Sequence, residues 1–255
     1  MINLSALFSY EALPLVQAIQ KHSAIHFEWL TLPILQERFI RGEIDGILCP
    51  PLMVAQFSET LIVPGVGIAS TGNIPSPILY SNKTCNEIKT VAVSKDSEHW
   101  NDWLNLVLQL LSPNTIELRV SEEDGEDEDA YLTNLIEAKQ KEKYVYEYNL
   151  GELWKKVSAY PMVCWVWLCR GDSDYKQIRS ILGYTWENAK ENLSRFQEGL
   201  FDDVEEPLKG KIKQINGLGD IYYNLASLEF EGFYWLVEQA KNRGIVSKDL
   251  DVRLC

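Results

Sequence analysis

Residues Met162 to Cys169 form an unbroken apolar run between Pro161 and Arg170, and a stretch of that length and composition has no polar face to turn toward water. It must be a buried strand. A strand apolar on both faces needs a sheet covered on both sides, the condition met in parallel α/β architectures, and Pro161 marks where it begins. Just upstream, Asn149 stands where it can cap a short helix carrying Leu153 and Trp154.

The first part of the chain repeats one pattern. Between Ala12 and His22, residues Leu15, Val16 and Ile19 share a helical face, and Ile25, Phe27 and Trp29 then alternate with His26 and Glu28 as in a half-buried strand. Pro33 opens a second helix with Leu35, Phe39 and Ile40 on one side, Gly42 closes it, and Ile44 to Cys49 returns as a strand. Alternation of this kind predicts right-handed β-α-β crossovers and a largely parallel sheet, with function at the carboxyl ends of its strands.

A segment rich in Gly, Pro and Ser follows, extended from Val63 to Ser81 around a loop at Ser70 to Ser76. A second unit opens with a strand at Lys89 to Val93, a loop from Ser94 to His99, and a helix with Trp103, Leu104, Val107, Leu108 and Leu111 on one face. Ile116 to Val120 is its next strand. Glu122 to Asp129 is acidic at every position but Gly125 and reads as a solvated loop without the spacing of a calcium-binding loop. Beyond the long apolar strand the pattern is helical over Ser173–Leu182, Trp186–Phe201, Glu205–Ile215 and Glu229–Asn242.

Composition excludes some partners. With 24 basic and 37 acidic residues the net charge is −13, which repels phosphate backbones and anionic headgroups, so neither nucleic acid nor a membrane is expected as partner. A small anionic metabolite is compatible if backbone N–H groups or hydroxyls make a local pocket for it. The N-terminus lacks a basic region and an apolar stretch long enough for a signal peptide, so a cytoplasmic location is expected. Cys49, Cys85, Cys164, Cys169 and Cys255 include no C-x-x-C pair and read as reduced thiols, and His22, His26 and His99 lack zinc-type spacing. The C-terminal helices leave a homodimer face open.

One α/β unit, a second inserted from about Asn82 to Leu168, and a helical return resemble a two-lobed periplasmic-binding-protein-like (type II) fold. That fold class is α/β, with mixed, mainly parallel sheets and a helical C-terminal portion. One lobe is expected from residues 1–81 with 169–255, the other from 82–168. Four stretches carry a narrower likeness: Ser9-Tyr10 with Pro14-Leu15; Arg41-Gly42 through Asp45-Gly46; Val63-Pro64-Gly65 through Ser70, Gly72 and Ser76; and Asn149 to Trp154 with Pro161 and Trp167. In these the sequence resembles the chorismate dehydratase family of menaquinone synthesis by the futalosine route. The Leu-Gly-x-x-Trp segment is shared with the sister family that makes dihydroxynaphthoate, and the Ser-Tyr first loop favours the dehydratase side. The first loop is one residue shorter than that family's and lacks its asparagine. Ser97-Glu98-His99-Trp100 stands where the family has Ser-Arg-Thr-Ser.

The resemblance implies a cofactor-free lyase that takes water from chorismate, a dianion, to leave an enolpyruvyl benzoate. Such an enzyme must desolvate the ring, hold two carboxylates and align a base. Glu11 is the candidate base and Tyr10 a ring contact or proton donor. Ser9, Ser70, Thr71, Gly72, Ser76, Ser94 and Ser97 are the substrate-binding candidates. Each has a plainer reading: Glu11 as a first-turn acid, Ser70 to Ser76 as a self-bonded turn, Ser94 and Ser97 as helix caps. A substrate carboxylate acting as its own base, His99 as a solvent-facing alternative, and a binding protein that does not transform its ligand also remain open.

Overall fold

Alternation and amphipathic spacing in the first fifty residues yield β1 (Ile2–Leu7), α1 (Leu13–Gln20), β2 (Ile25–Leu30), α2 (Leu32–Ile40) and β3 (Gly46–Cys49). A 3-10 turn at Pro51–Gln56 then leads into β4 (Thr60–Ser70). The structure is a computed structural model that describes residues 1–112, 114–121, 127–134, 141–197 and 220–255, and of 188–197 the backbone alone. The second unit comprises β5 (Ile78–Ser81), β6 (Thr90–Ser94), a 3-10 turn at Lys95–Trp100, α3 (Asn101–Leu111), β7 (Glu117–Ser121), β8 (Ala130–Thr133), β9 (Tyr146–Asn149) and α4 (Leu150–Val157). The chain returns through β10 (Met162–Arg170), α5 (Tyr175–Gln197), β11 (Ile221–Tyr222), α6 (Ser227–Asn242) and β12 (Arg253–Leu254).

Two sheets organise these elements. One runs β11-β4-β10-β3-β1-β2 with β12 also on β4, the other β7-β6-β8-β5-β9. Leu35 and Phe39 of α2 are buried as expected, whereas Ile40 is 71% exposed because one residue's turn carries it off the apolar stripe. The apolar run is β10, buried from Met162 to Cys169, but it lies antiparallel to both β3 and β4. Burial on both faces constrains layering, not direction. Parallel and antiparallel pairings are in fact evenly divided, so the sheets are mixed rather than mainly parallel.

Sheet membership also moves the lobe boundaries. β5 pairs with β8 and β9, and β10 pairs with β3 and β4, so Ile78–Ser81 belongs to the second sheet and Met162–Leu168 to the first. The chain therefore crosses between sheets at 71–77 and 158–161. The helices expected separately at Ser173–Leu182 and Trp186–Phe201 are one helix, α5, through Gly183. The helix expected at Glu205–Ile215 and most of the acidic run lie outside the described residues.

The motif residues have structural work in this frame. In β4, Trp167 of β10 faces Val63 while Val166 faces Gly67, so Pro64, Gly65 and Val66 bulge out of register. Pro64 has no N–H to lose, and Gly65 takes a φ of 92° that a side chain disfavours. Asp45 accepts the Asn3 N–H at 2.9 Å, and its carbonyl accepts the Arg170 N–H at 3.3 Å, which ties β3 to β1 and to the end of β10.

A ladder of indoles joins the lobes. Trp165 of β10 meets Trp100 at 6.1 Å between ring centroids, Trp100 meets Trp103 of α3 at 5.9 Å, Trp103 meets Trp154 of α4 at 5.9 Å, and Trp154 meets Trp235 of α6 at 5.4 Å. Its first and last rungs cross from one lobe to the other.

Candidate functional site

At the carboxyl end of β1 the chain turns through Ser9, Tyr10 and Glu11 into α1. The Ser9 hydroxyl accepts the Ala12 N–H at 3.2 Å, which closes the turn and draws Glu11 inward. Glu11 is 1% exposed. Burial pushes its carboxyl up to about 7 against the opposing pull of hydrogen bonds from its own N–H, the Ser9 side chain and the Tyr10 N–H. Its Oε2 atom is buried and has no hydrogen-bond partner among the described residues. The Tyr223 hydroxyl donates to the Glu11 carbonyl oxygen at 2.7 Å. Tyr10 packs edge-on to Phe8 at 5.3 Å, and burial, then the Asp96 and Glu11 carboxylates, push its phenol up to about 12. Asp96 belongs to the second lobe, so this first loop faces the junction.

The Ser70 to Ser76 segment is closed upon itself and its neighbours. The Thr71 N–H donates to the Asp220 carbonyl at 3.3 Å, that of Gly72 to the Ser70 hydroxyl at 3.0 Å, that of Asn73 to the Asp220 carboxylate at 2.8 Å, and that of Ile74 to Asn149 Oδ1 at 3.0 Å. Ser70 in turn donates to the Gly72 carbonyl at 3.0 Å. The amides of Thr71 to Ile74 are thus already engaged, with Asp220 supplying the anion. The exposed hydroxyl of Thr71 and that of the buried Ser76 are what the segment retains for a ligand.

The same segment explains the Asn149–Trp154 motif. Asn149 Oδ1 also accepts the Gly151 N–H at 3.0 Å, capping α4, and Nδ2 donates to the Ile74 carbonyl at 2.7 Å. Trp154 Nε1 donates to the Tyr160 carbonyl at 2.7 Å. One short helix therefore holds both crossings. Asn149→Ala removes a cap and the clamp on Ile74, and should lower unfolding stability by about 2 kcal/mol in urea titration.

In the second lobe, the Ser94 hydroxyl donates to that of Ser97 at 3.0 Å, and Ser97 is fully buried. These hydroxyls are paired with each other at the carboxyl end of β6. His99 is half-buried rather than freely solvent-facing: its ring lies 5.3 Å from Trp165 and 5.9 Å from Trp100, and desolvation pushes its pKa down, favouring a neutral imidazole. It lines a cleft of about 240 Å³ between the lobes, with Leu32, Gln36, Met53 and Gln56 on one side and Glu98, Asn101 and Asp102 beside it. None of the expected site residues lines that cleft. Beside Leu32, Met53 and the neutral His99, its lining contains two acids and three amides and no lysine or arginine.

The structure brings the Ser9–Glu11 loop beside the Asp220–Leu225 segment through Tyr223, and the Ser70 loop beside the same segment through Asp220. Sequence reasoning missed both contributors. Neither belongs to a local motif, and each partner lies far away along the chain. Among the described residues no group of three or more His, Cys, Asp or Glu side chains is placed to hold a metal ion, and no helix is long and apolar enough to cross a membrane.

Three solved structures are similar over nearly the whole chain. Protein AF1704 from Archaeoglobus fulgidus superposes with a TM-score of 0.67 at 15% identity, covering 96% of this chain and 98% of that one. A Candida albicans protein described as having the generic periplasmic binding protein fold gives 0.63 at 12% identity, covering 98% and 92%. The aliphatic sulphonate binding protein SsuA from Escherichia coli gives 0.63 at 14% identity, covering 98% and 95%. The fold is thus the two-lobed periplasmic-binding-protein type that the sequence pattern resembles. No curated protein sequence matches the chain. A family model described as menaquinone biosynthesis matches residues 2–230, which bears out at family level the likeness drawn from the motifs. With that match spanning both sheets and the loops between them, the chain belongs to the menaquinone biosynthesis family.

Proposed function

We propose that the protein is a cytoplasmic lyase that removes water from chorismate, with Glu11 as general base. One observation carries the reading: a wholly buried carboxyl, poised at about 7, with an unpartnered oxygen in the turn that follows β1. A base works best when its pKa lies near the working pH, and burial supplies that here. In the proposed step the Glu11 carboxylate takes the ring hydrogen beside the departing hydroxyl, and the C–H electrons become the new ring double bond as the C–O bond breaks. The hydroxide leaves with the proton as water, and Glu11 is restored. Aromatisation drives the step, so the protein supplies alignment and exclusion of water. Tyr10 contacts the ring, Ser9 orients the base, and the hydroxyls of Thr71, Ser76, Ser94 and Ser97 are the proposed carboxylate contacts.

A second reading, binding without transformation, is favoured by the acidic cleft lining and by the engaged amides of Thr71 to Ile74, since both weaken attraction for a dianion. Purified protein incubated with chorismate should give an aromatic product followed by ultraviolet absorbance. A saturable thermal shift with no product would instead identify a binding protein. Turnover of the later, cyclised intermediate alone would identify the sister enzyme.

A further inference from the structure

The segment Asp220 to Leu225 runs along β4 and ends beneath the first loop. Its backbone pairs with β4, Tyr222 opposite Ala69, and the Gly67 N–H donates to the Tyr223 carbonyl at 3.2 Å. The Tyr223 ring packs against Trp186 of α5 at 5.2 Å, and the residue is fully buried. Its hydroxyl, held from two sides, has one partner given by geometry, the Glu11 carbonyl. We infer that Tyr223 is a positioning residue: it fixes the backbone of Glu11 so that the carboxyl stays dry and its free oxygen keeps one direction. The inference rests on Glu11 being the base.

The physical argument concerns water. Glu11 lies in the turn before α1, where its carbonyl is not anchored by a β-ladder, and a backbone free to shift would bring its side chain toward solvent. The titratable groups facing it are Tyr10 from its own loop, Cys164 from β10 and Tyr223 itself, with Asp96 beyond Tyr10. None is a cation that would hold the carboxyl in place. The carboxyl itself is held only by the Ser9 hydroxyl and the loop's own N–H groups, which move with the loop, so the bond that ties the loop to the rest of the fold at Glu11 is the one from Tyr223, donated by a ring packed against β4 and α5.

The test is the pH–rate profile of Tyr223→Phe on chorismate. Loss of the hydroxyl should lower kcat about 10-fold while KM stays within about twofold, because one hydrogen bond that orders the base, not the substrate, is removed. The rising limb near neutral pH should move down by about one unit as water reaches the carboxyl. Tyr222→Phe is the matched control. It removes a comparable phenol bond, to Glu229 at 2.7 Å, from the neighbouring residue and should leave kcat and the limb unchanged. Equal effects from both variants, or an unchanged limb in Tyr223→Phe, would overturn the inference while Glu11→Gln remained inactive. A fully active Glu11→Gln would instead remove the base itself. Should Tyr223→Phe not fold, Trp186→Phe, which loosens the ring and keeps the hydroxyl, should move the limb in the same direction with about a threefold fall in kcat, and an unmoved limb would count against Tyr223.

Discussion

Glu11→Gln should lose chorismate turnover by about 10²- to 10⁴-fold, the usual contribution of a positioned base, while becoming the more stable protein above neutral pH. The second half follows from linkage. Folding raises the Glu11 carboxyl from 4.5 to about 7, so the native state holds its proton more tightly than the unfolded chain. The associated stability is fully present below about 4.5 and is lost as pH rises to about 7. Integrated over that window the loss is on the order of 3 kcal/mol. A glutamine cannot ionise, so the variant escapes that loss. Urea midpoints should coincide near pH 4.5 and separate in favour of Glu11→Gln toward pH 8, with activity moving the opposite way. Coincident midpoints at pH 8 would mean that the carboxyl is solvated and not poised.

Gly151→Ala should destabilise the protein by about 3 kcal/mol, although alanine in place of glycine in a helix ordinarily gains about 1 kcal/mol. A Cβ at 151 would overlap the Gly72 carbonyl oxygen and lie 2.8 Å from its carbon. That carbonyl has nowhere to go, since the amides around it are fixed by Ser70, Asp220 and Asn149. Gly183 in α5 is the contrast, with no atom within 4 Å of the added methyl, and Gly183→Ala should raise the urea midpoint. If Gly151→Ala unfolds at the wild-type midpoint, the contact between the first crossing and α4 is not as described.

Much of the first lobe is legible in the sequence because its elements are amphipathic and punctuated, with Pro14 and Pro33 opening α1 and α2, and in the second lobe Asn149 caps α4. What escapes is whatever depends on a distant partner. A run buried on both faces is equally consistent with either strand direction, so β10 read as parallel. Ile78 to Ser81 sits at the end of a Gly- and Pro-rich stretch and gives no sign of which sheet will take it. Gly183 looks like a break because the sequence does not show that the helix runs on through open space. The site divides in the same way. Ser9, Tyr10 and Glu11 are readable as a loop at a strand's carboxyl end, whereas the engagement of the Ser70 segment depends on Asp220, 147 residues beyond Asn73.

The indole ladder makes the protein its own optical gauge. Trp165, Trp100, Trp103, Trp154 and Trp235 are close enough for their transition dipoles to couple, so near-ultraviolet circular dichroism reports on the seam as one chromophore. Separation of the lobes must sever the rungs at Trp165 and Trp235, leaving Trp100, Trp103 and Trp154 coupled and the two end indoles detached, and a ligand that draws the lobes together would sharpen the same signal without any added dye.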